Sequence, residues 1–276
     1  MLSVNTNTSA LTALQYLTNT NSELQTTENA VSSGLKVSSA KDNGAIFAIA
    51  QNMRGNVAGY SAVTDSLNRG ISVVDTALSA AESVSDLLIQ MKANALAASD
   101  TSLDTASRTS LAADFQSMAA QITSIVQNAS FNGINLVSNS AGTGAGTSIS
   151  ALASASDQSQ TITVGAQNLT VTNLNVGTAY TGQTSAATMV LTVSTAIAAV
   201  NTALSALSSG SKKFSIQADF VSKLSDTLTT GIGNLVDADM AKESALLTSL
   251  QTKQQLGIQA LSIANSAPST ILSLFK

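Results

Sequence analysis

The chain has 276 residues, 44% hydrophobic and only 10% charged, with a formal net charge of -4 and no His, Cys or Trp. That inventory excludes imidazole and thiolate metal sites and every mechanism that depends on His or Cys, leaving acid–base work to carboxylates and Lys. It offers no basic footprint for nucleic acid and no polybasic membrane anchor, and 3% aromatic residues are too sparse to line a large ligand pocket.

The opening Met1-Leu2-Ser3-Val4-Asn5-Thr6-Asn7 has no basic region, no long apolar stretch and no small-residue cleavage site, so no Sec-type leader is expected. No run reaches the 18 or so consecutive apolar residues of a membrane span. These absences and the lack of disulfides favour the cytoplasm, but a dedicated export machine that reads an uncleaved end would leave the same record. Downstream, Ala10, Leu14, Leu17, Leu24 and Val31 form a weak helical stripe interrupted by Asn21 and Glu28. Such a helix is marginal on its own. Ser33-Gly34-Leu35 reads as a helix break, with Gly34 supplying a left-handed turn.

From Ile46 the pattern strengthens. Ala50, Met53, Val57, Tyr60, Thr64, Leu67, Ile71, Val74, Leu78, Ala81, Ser85 and Leu88 recur at alternating steps of four and three, the signature of one helix face. A second stripe through Ile49, Val63, Val73, Val84, Leu87 and Met91 widens the apolar surface, so this helix needs neighbours on more than one side. A helix from about Ala45 to Ala98 would run roughly 80 Å at ~1.5 Å per residue. Thr101-Ser102-Leu103-Asp104 has capping-box spacing and leads into a shorter helix marked by Leu111, Phe115, Met118, Ile122 and Ile125. Asn132-Gly133 follows as a tight-turn signal, because both residues tolerate positive φ.

Residues 138 to 187 differ in kind. The stretch from Ser138 to Ser150 is rich in Gly, Ser, Ala and Thr, and Thr161–Val164 and Leu169–Thr172 alternate like two strands around Gly165 to Asn168. The expectation is a small surface hairpin on a flexible base. Gly142 to Thr147 lacks the Lys of a phosphate loop and reads as a linker. A second long four-three stripe then runs from Val190 through Val200, Leu207, Phe214, Val221 and Leu228 to Leu235, with Gly210 inside it at about 1 kcal/mol relative to Ala. Asp237 and Asp239 stand at the start of the last helix, where acids complement the helix dipole. Met240, Leu247, Leu250, Leu261 and Ala264 give that helix a weak stripe interrupted by Gln254, and Pro268 is expected to end it. Beyond it, Ile271, Leu272, Leu274 and Phe275 form an apolar tail that needs a partner.

Several strings, in order and spacing, resemble bacterial flagellin: Leu2–Asn7 with Ala10-Leu11, Ser33–Asn43 running into Ala48-Ile49-Ala50, and Phe131-Asn132-Gly133-Ile134-Asn135-Leu136. Asp237–Glu243 and Ala264–Pro268 before Leu272-Ser273-Leu274 complete the set. The resemblance covers both ends and most of the helical chain. It implies an all-α-dominated fold, an elongated helical rod with coiled-coil-like N- and C-terminal helices and a small β-hairpin region. Inner filament-core helices would comprise 1–40 with 238–276, the rod 41–137 with 188–237, and the variable outer segment 138–187. It implies assembly residues at Leu11, Leu14, Leu17, Leu24, Val31, Leu250, Leu261, Ile271, Leu272, Leu274 and Phe275. Ser33, Gly34 and Leu35 would be a spoke between core and rod, and Asn132 and Gly133 the turn of a rod hairpin.

The function implied is that of a structural subunit polymerising with copies of itself into the flagellar filament used for swimming. A hook–filament junction protein of the same family is the alternative. Catalytic, cofactor and metal sites are not expected. Implied partners are an export chaperone, the filament cap and junction proteins, with neither nucleic acid nor membrane, and the implied destination is the extracellular flagellum by flagellar type III export. At the positions where many flagellins present an Arg and a Leu to an animal innate receptor, this chain has Gln90 and Asn94.

Overall fold

The computed structural model describes residues 6–138, 148–155 and 157–272, the last six of them by their backbone alone. The element order is α1 (Thr8–Ser33), α2 (Gly44–Ala98), α3 (Thr105–Asn128), β1 (Ser148–Leu152), β2 (Thr161–Gly165), α4 (Gln183–Val236) and α5 (Met240–Leu272). An all-α-dominated fold with one small hairpin is thus observed. The chain divides into two compact units, Met1–Gly55 with Asp226–Lys276, and Asn56–Ser225.

In the unit from Asn56 to Ser225, both apolar stripes of α2 enter one core. Leu67, Val74, Ala81 and Leu88 of the first stripe and Val63, Val73, Val84 and Met91 of the second are all buried. They meet Phe115, Ile122 and Val126 of α3 and Val193, Val200, Leu207, Phe214 and Val221 of α4. By length and composition α4 is apolar enough to cross a membrane, yet these side chains face the helical core instead. The end of α2 is tied to the start of α3 by Arg108. Its guanidinium donates to the carbonyls of Ala98 (2.9 Å), Asp100 (2.9 Å) and Leu103 (3.0 Å), groups that a helix terminus leaves without partners.

The expected capping box at Thr101–Asp104 is not formed. Asp100 takes the backbone N–H and hydroxyl of Ser102 at 2.9 and 2.8 Å, which holds this stretch in a turn and prevents a helix from starting there. Asp104 itself becomes the N-cap of α3, accepting from Ser107 N at 3.1 Å.

The hairpin also differs from expectation. Thr161–Gly165 is a strand, but its antiparallel partner is Ser148–Leu152, in register Ser148↔Gly165 to Leu152↔Thr161. Leu169–Thr172 is not a strand. Its backbone is held by Val137, whose carbonyl accepts from Leu169 N at 2.9 Å, and Asn168 Oδ1 turns it by accepting from Thr170 N and Oγ1. Nor is this region only a surface feature: Ile149, Ala151, Val164, Leu169, Leu174, Val176 and Tyr180 are buried. Part of the expected flexible base, 139–147, lies outside the described residues.

The hairpin docks because two glycines let it approach. A Cβ on Gly210 of α4 would lie 2.6 and 2.7 Å from the methyls of Val164, and one on Gly59 of α2 would lie 2.8 Å from Ala155 Cβ. Gln217 of α4 donates to Ala153 O at 2.9 Å, and Leu152 N donates to Ser66 Oγ of α2 at 3.2 Å. Gly210 is therefore a packing requirement as well as a helix-propensity cost.

Pro268 does not end the last helix. α5 continues through it to Leu272. A proline removes one intrahelical donor, the one that would serve the carbonyl of residue 264, and that carbonyl has another partner, described below.

Candidate functional site

The unit formed by Met1–Gly55 and Asp226–Lys276 contains most of the residues expected to act in assembly. α1 begins at Asn7, whose Oδ1 accepts from Ala10 N at 3.0 Å. It ends at Gly34, where φ is +72° and the amide closes onto Ala30 O at 2.9 Å. α5 begins after Asp239, whose Oδ1 receives the N–H groups of Ala241 and Lys242 at 3.1 and 3.2 Å. Asp239 is thus a helix cap.

Three crossings place α1 and α5 antiparallel. Asn7 meets Ala264 (2.7 Å, Nδ2 to carbonyl), a Cβ on Gly257 would sit 3.2 Å from Leu17 Cδ1, and Asn21 meets Gln254 (2.7 Å, between side-chain amides). As the α1 number rises the α5 number falls. The facing stripes are Ala10, Ala13, Leu17, Thr20, Leu24, Thr27 and Val31 on α1, and Leu247, Leu250, Gln254, Gly257, Leu261 and Ala264 on α5, again at steps of three and four. Of these only Thr27 and Leu250 are fully buried.

Leu17, Leu24, Val31, Leu250 and Leu261 of the expected assembly set therefore share one seam. Leu11 and Leu14 do not: they lie outside it, 59% and 48% exposed. Tyr16, Leu246, Leu256, Ile258 and Ile263 are exposed with them. Such side chains around a thin two-helix seam are an unusually large apolar surface for a single chain to present to water. The side chains of Ile271 and Leu272 and the whole of Leu274 and Phe275 lie outside the described residues.

Ser33-Gly34-Leu35 is joined to the α4–α5 link. Leu35 forms an antiparallel bridge with Asp237, Lys36 N donates to Val236 O at 2.8 Å, and Ala238 N donates to Gly34 O at 2.9 Å. Beneath this crossing Val37, Ala50 and Val236 are buried with Leu35, Ile46, Phe47, Ile232 and Leu235 around them. The loop onward to α2 is pinned by Asp42, whose Oδ2 accepts from the amides and hydroxyls of both Ser38 and Ser39 at 2.8–3.2 Å. Those bonds, the Ser39 amide first, hold its carboxyl below the usual carboxylate range. Asn43 then caps α2 by accepting from Ile46 N at 3.1 Å. Nothing local in the sequence marks the Asp42 clamp beyond the two serines three and four residues before it.

Asn132 and Gly133 form a two-residue turn with φ of +49° and +78°, closed by reciprocal 3.0 Å bonds between Phe131 and Ile134. Behind it the buried Asn135 amide donates to Val126 O at 2.7 Å and accepts from Val137 N and Ser138 N. It satisfies the end of α3, a role not read from sequence. Asn94 is not freely presented: it is half-buried, and its side-chain carbonyl accepts from the Tyr180 hydroxyl, while Gln90 is exposed. Among the described residues no group of three His, Cys, Asp or Glu converges to hold a metal.

Comparison with known proteins gives the family. Residues 4–142 match the bacterial flagellin N-terminal helical region and residues 190–275 the bacterial flagellin C-terminal helical region. The chain is 47% identical over 274 residues to flagellin FljM of Caulobacter vibrioides, covering 99% of this chain and 98% of that one. It is 38% identical over 288 residues to a flagellin of Brucella melitensis, covering all of both. A crystal structure of Bacillus cereus flagellin overlaps 65% of this chain and 93% of its own at 21% identity and a TM-score of 0.42. The two family matches and the full-length relatives agree, and the chain belongs to the flagellin family as a structural subunit of the extracellular filament of the bacterial flagellum.

Proposed function

We propose that the α1–α5 pair is the assembly surface of this subunit and that the outward Leu11 and Leu14, with the segment from Ile271 to Phe275, are buried by neighbouring copies. One observation carries the reading: the pair buries a single seam and leaves large apolar side chains outside it. Burial of each such side chain is worth roughly 1.5–3 kcal/mol, which an isolated chain forgoes. In the free subunit these helices are marginal and disordered, and they order on joining the polymer.

On this reading residues 1–40 with 238–276 form the inner core of the filament, and 41–137 with 188–237 the rod. Ser33–Leu35 is the spoke between them, and 138–187 faces outward. An unfolded end suits passage through a narrow type III export channel, with a chaperone before export and the cap and junction proteins at the filament. The subunit bears load and catalyses nothing. Gln90 and the engaged Asn94 make it a feeble ligand for the animal receptor that reads these positions in other flagellins.

Seeded growth followed by negative-stain microscopy tests the proposal. Removing Ile271–Lys276, or introducing L11D with L14D, should leave helical circular dichroism of the subunit near normal and abolish filament growth. Growth of either variant at the wild-type critical concentration would overturn it. Short caps on seeds with no elongation by the wild-type protein would favour the junction reading.

A further inference from the structure

α5 contains a proline in its interior and is helical on both sides of it, from Met240 to Leu272. Position 268 has no N–H to give, so the carbonyl of Ala264 loses the donor that an uninterrupted helix would supply. The side chain of Asn7 supplies one instead: its Nδ2 donates to Ala264 O at 2.7 Å across 257 positions of chain. The same amide, through Oδ1, accepts from Ala10 N and starts α1.

Few side chains could do both. Asp caps a helix as well as Asn but has no hydrogen to donate, and Ser caps well but is too short to reach a second helix. Asn has a donor and an acceptor on one short planar group, one aimed along its own helix and the other across the seam.

We propose that Asn7 is a positioning residue for assembly: it satisfies the carbonyl that Pro268 frees, keeps α5 continuous to its last turn, and fixes the start of α1 against the end of α5. The C-terminal segment is thereby delivered in one register to the neighbouring copies. The assembly role rests on the reading of the α1–α5 pair given above. The bond and its dependence on Pro268 do not.

The test is a cycle of four full-length proteins: wild type, N7S, P268A and N7S/P268A. N7S retains a cap for α1 and removes the reach to Ala264, and P268A returns a backbone N–H at position 268. Two quantities are read, the critical concentration for seeded growth and hydrogen exchange of amides 265–267 and 269–272 in filaments grown above it. N7S should raise the critical concentration about tenfold and speed exchange at those amides in the Pro268 background. In the P268A background the same substitution should change the critical concentration by no more than about twofold.

An equal cost of N7S in both backgrounds would overturn the link to Pro268, since a lost cap alone is indifferent to position 268. Coupled exchange with an unchanged critical concentration would overturn the assembly role while sparing the bond. Unchanged exchange in N7S would overturn the bond itself.

Discussion

Asn21 and Gln254 are hydrogen-bonded to each other at 2.7 Å across the α1–α5 seam. Gln254 stands in the seam and Asn21 at its exposed rim beside Thr20, so the two amides satisfy one another across the edge of the helix pair and a one-turn slip of either helix would part them. Such pairs cost some stability relative to Leu and select a register. A side-chain bond of this kind is worth about 1 kcal/mol, or about fivefold in an equilibrium. N21A and Q254A should each raise the critical concentration for filament growth about fivefold, with the double variant little worse than either. Sedimentation of filaments at graded subunit concentrations checks this, and simple additivity of the two effects would show that the amides act separately.

The long helices were legible because their cores recur at steps of three and four over many turns, so single irregularities such as Gly210 do not hide the period. Gly34 and Asn132-Gly133 were legible because their positive φ is a local demand met by few residue types. What was missed depends on distant chain. Ser148–Leu152 is a strand through pairing with Thr161–Gly165 and docking on α2 and α4, and its small residues carry little strand propensity. Leu169 and Val171 alternate as a strand would, yet among the described residues no strand pairs with them. Pro268 reads locally as a stop, and the Asn7 amide that serves the freed carbonyl lies at the other end of the chain. Asn21 and Gln254 read as flaws until the two helices are set side by side.

Gly133 offers a local test of the turn. With φ at +78°, any side chain there is strained in the left-handed region. G133A should destabilise the subunit by about 1 kcal/mol and lower its melting temperature by roughly 2–4 °C, with N132A costing less, because Asn gains only part of that tolerance. Thermal unfolding followed by circular dichroism measures both. An unchanged melting temperature for G133A would mean the turn adopts another conformation in solution.

Tyr180 predicts an alkaline limit. Its ring packs edge-on against Phe115 with centroids 5.5 Å apart, and its hydroxyl donates to Asn94. Burial first, and the charge of Asp114 second, push its pKa up to about 12. The folded protein therefore keeps the phenol proton at pH values where the unfolded chain, near the ordinary value of about 10, has lost it. Stability from this site is complete below pH ~10 and declines as pH rises from there through the folded pKa near 12. Ultraviolet titration should show one of the three tyrosines ionising late, and Y180F should remove that late phase and flatten the alkaline loss of stability. Ionisation of Tyr180 near pH 10 would contradict the burial.

The docked hairpin yields the last prediction. On an exposed helix, Gly to Ala would gain about 1 kcal/mol. At Gly210 the added Cβ would fall 2.6 and 2.7 Å from two methyls of Val164, a stiff β-branched side chain that cannot turn aside without leaving its rotamer. Overpacking of this kind costs about 1–3 kcal/mol, more than the helix gains. G210A should therefore lower the stability of the subunit, and V164A in the same chain should recover most of the loss by removing both methyls. The same packing bears on larger changes. Deleting Gly142–Gly182 would remove Ile149, Val164, Leu169, Val176 and Tyr180, all buried, and uncover the faces of α2 and α4 around Gly59 and Gly210. A simple outer appendage would be dispensable. Here the deletion should lower the melting temperature far more than G133A does, and filaments should form from it only below that reduced temperature. If G210A proved as stable as wild type and the deletion melted normally, the hairpin would not be docked in solution, and the buried side chains of β1 and β2 would lose their assigned place in the core.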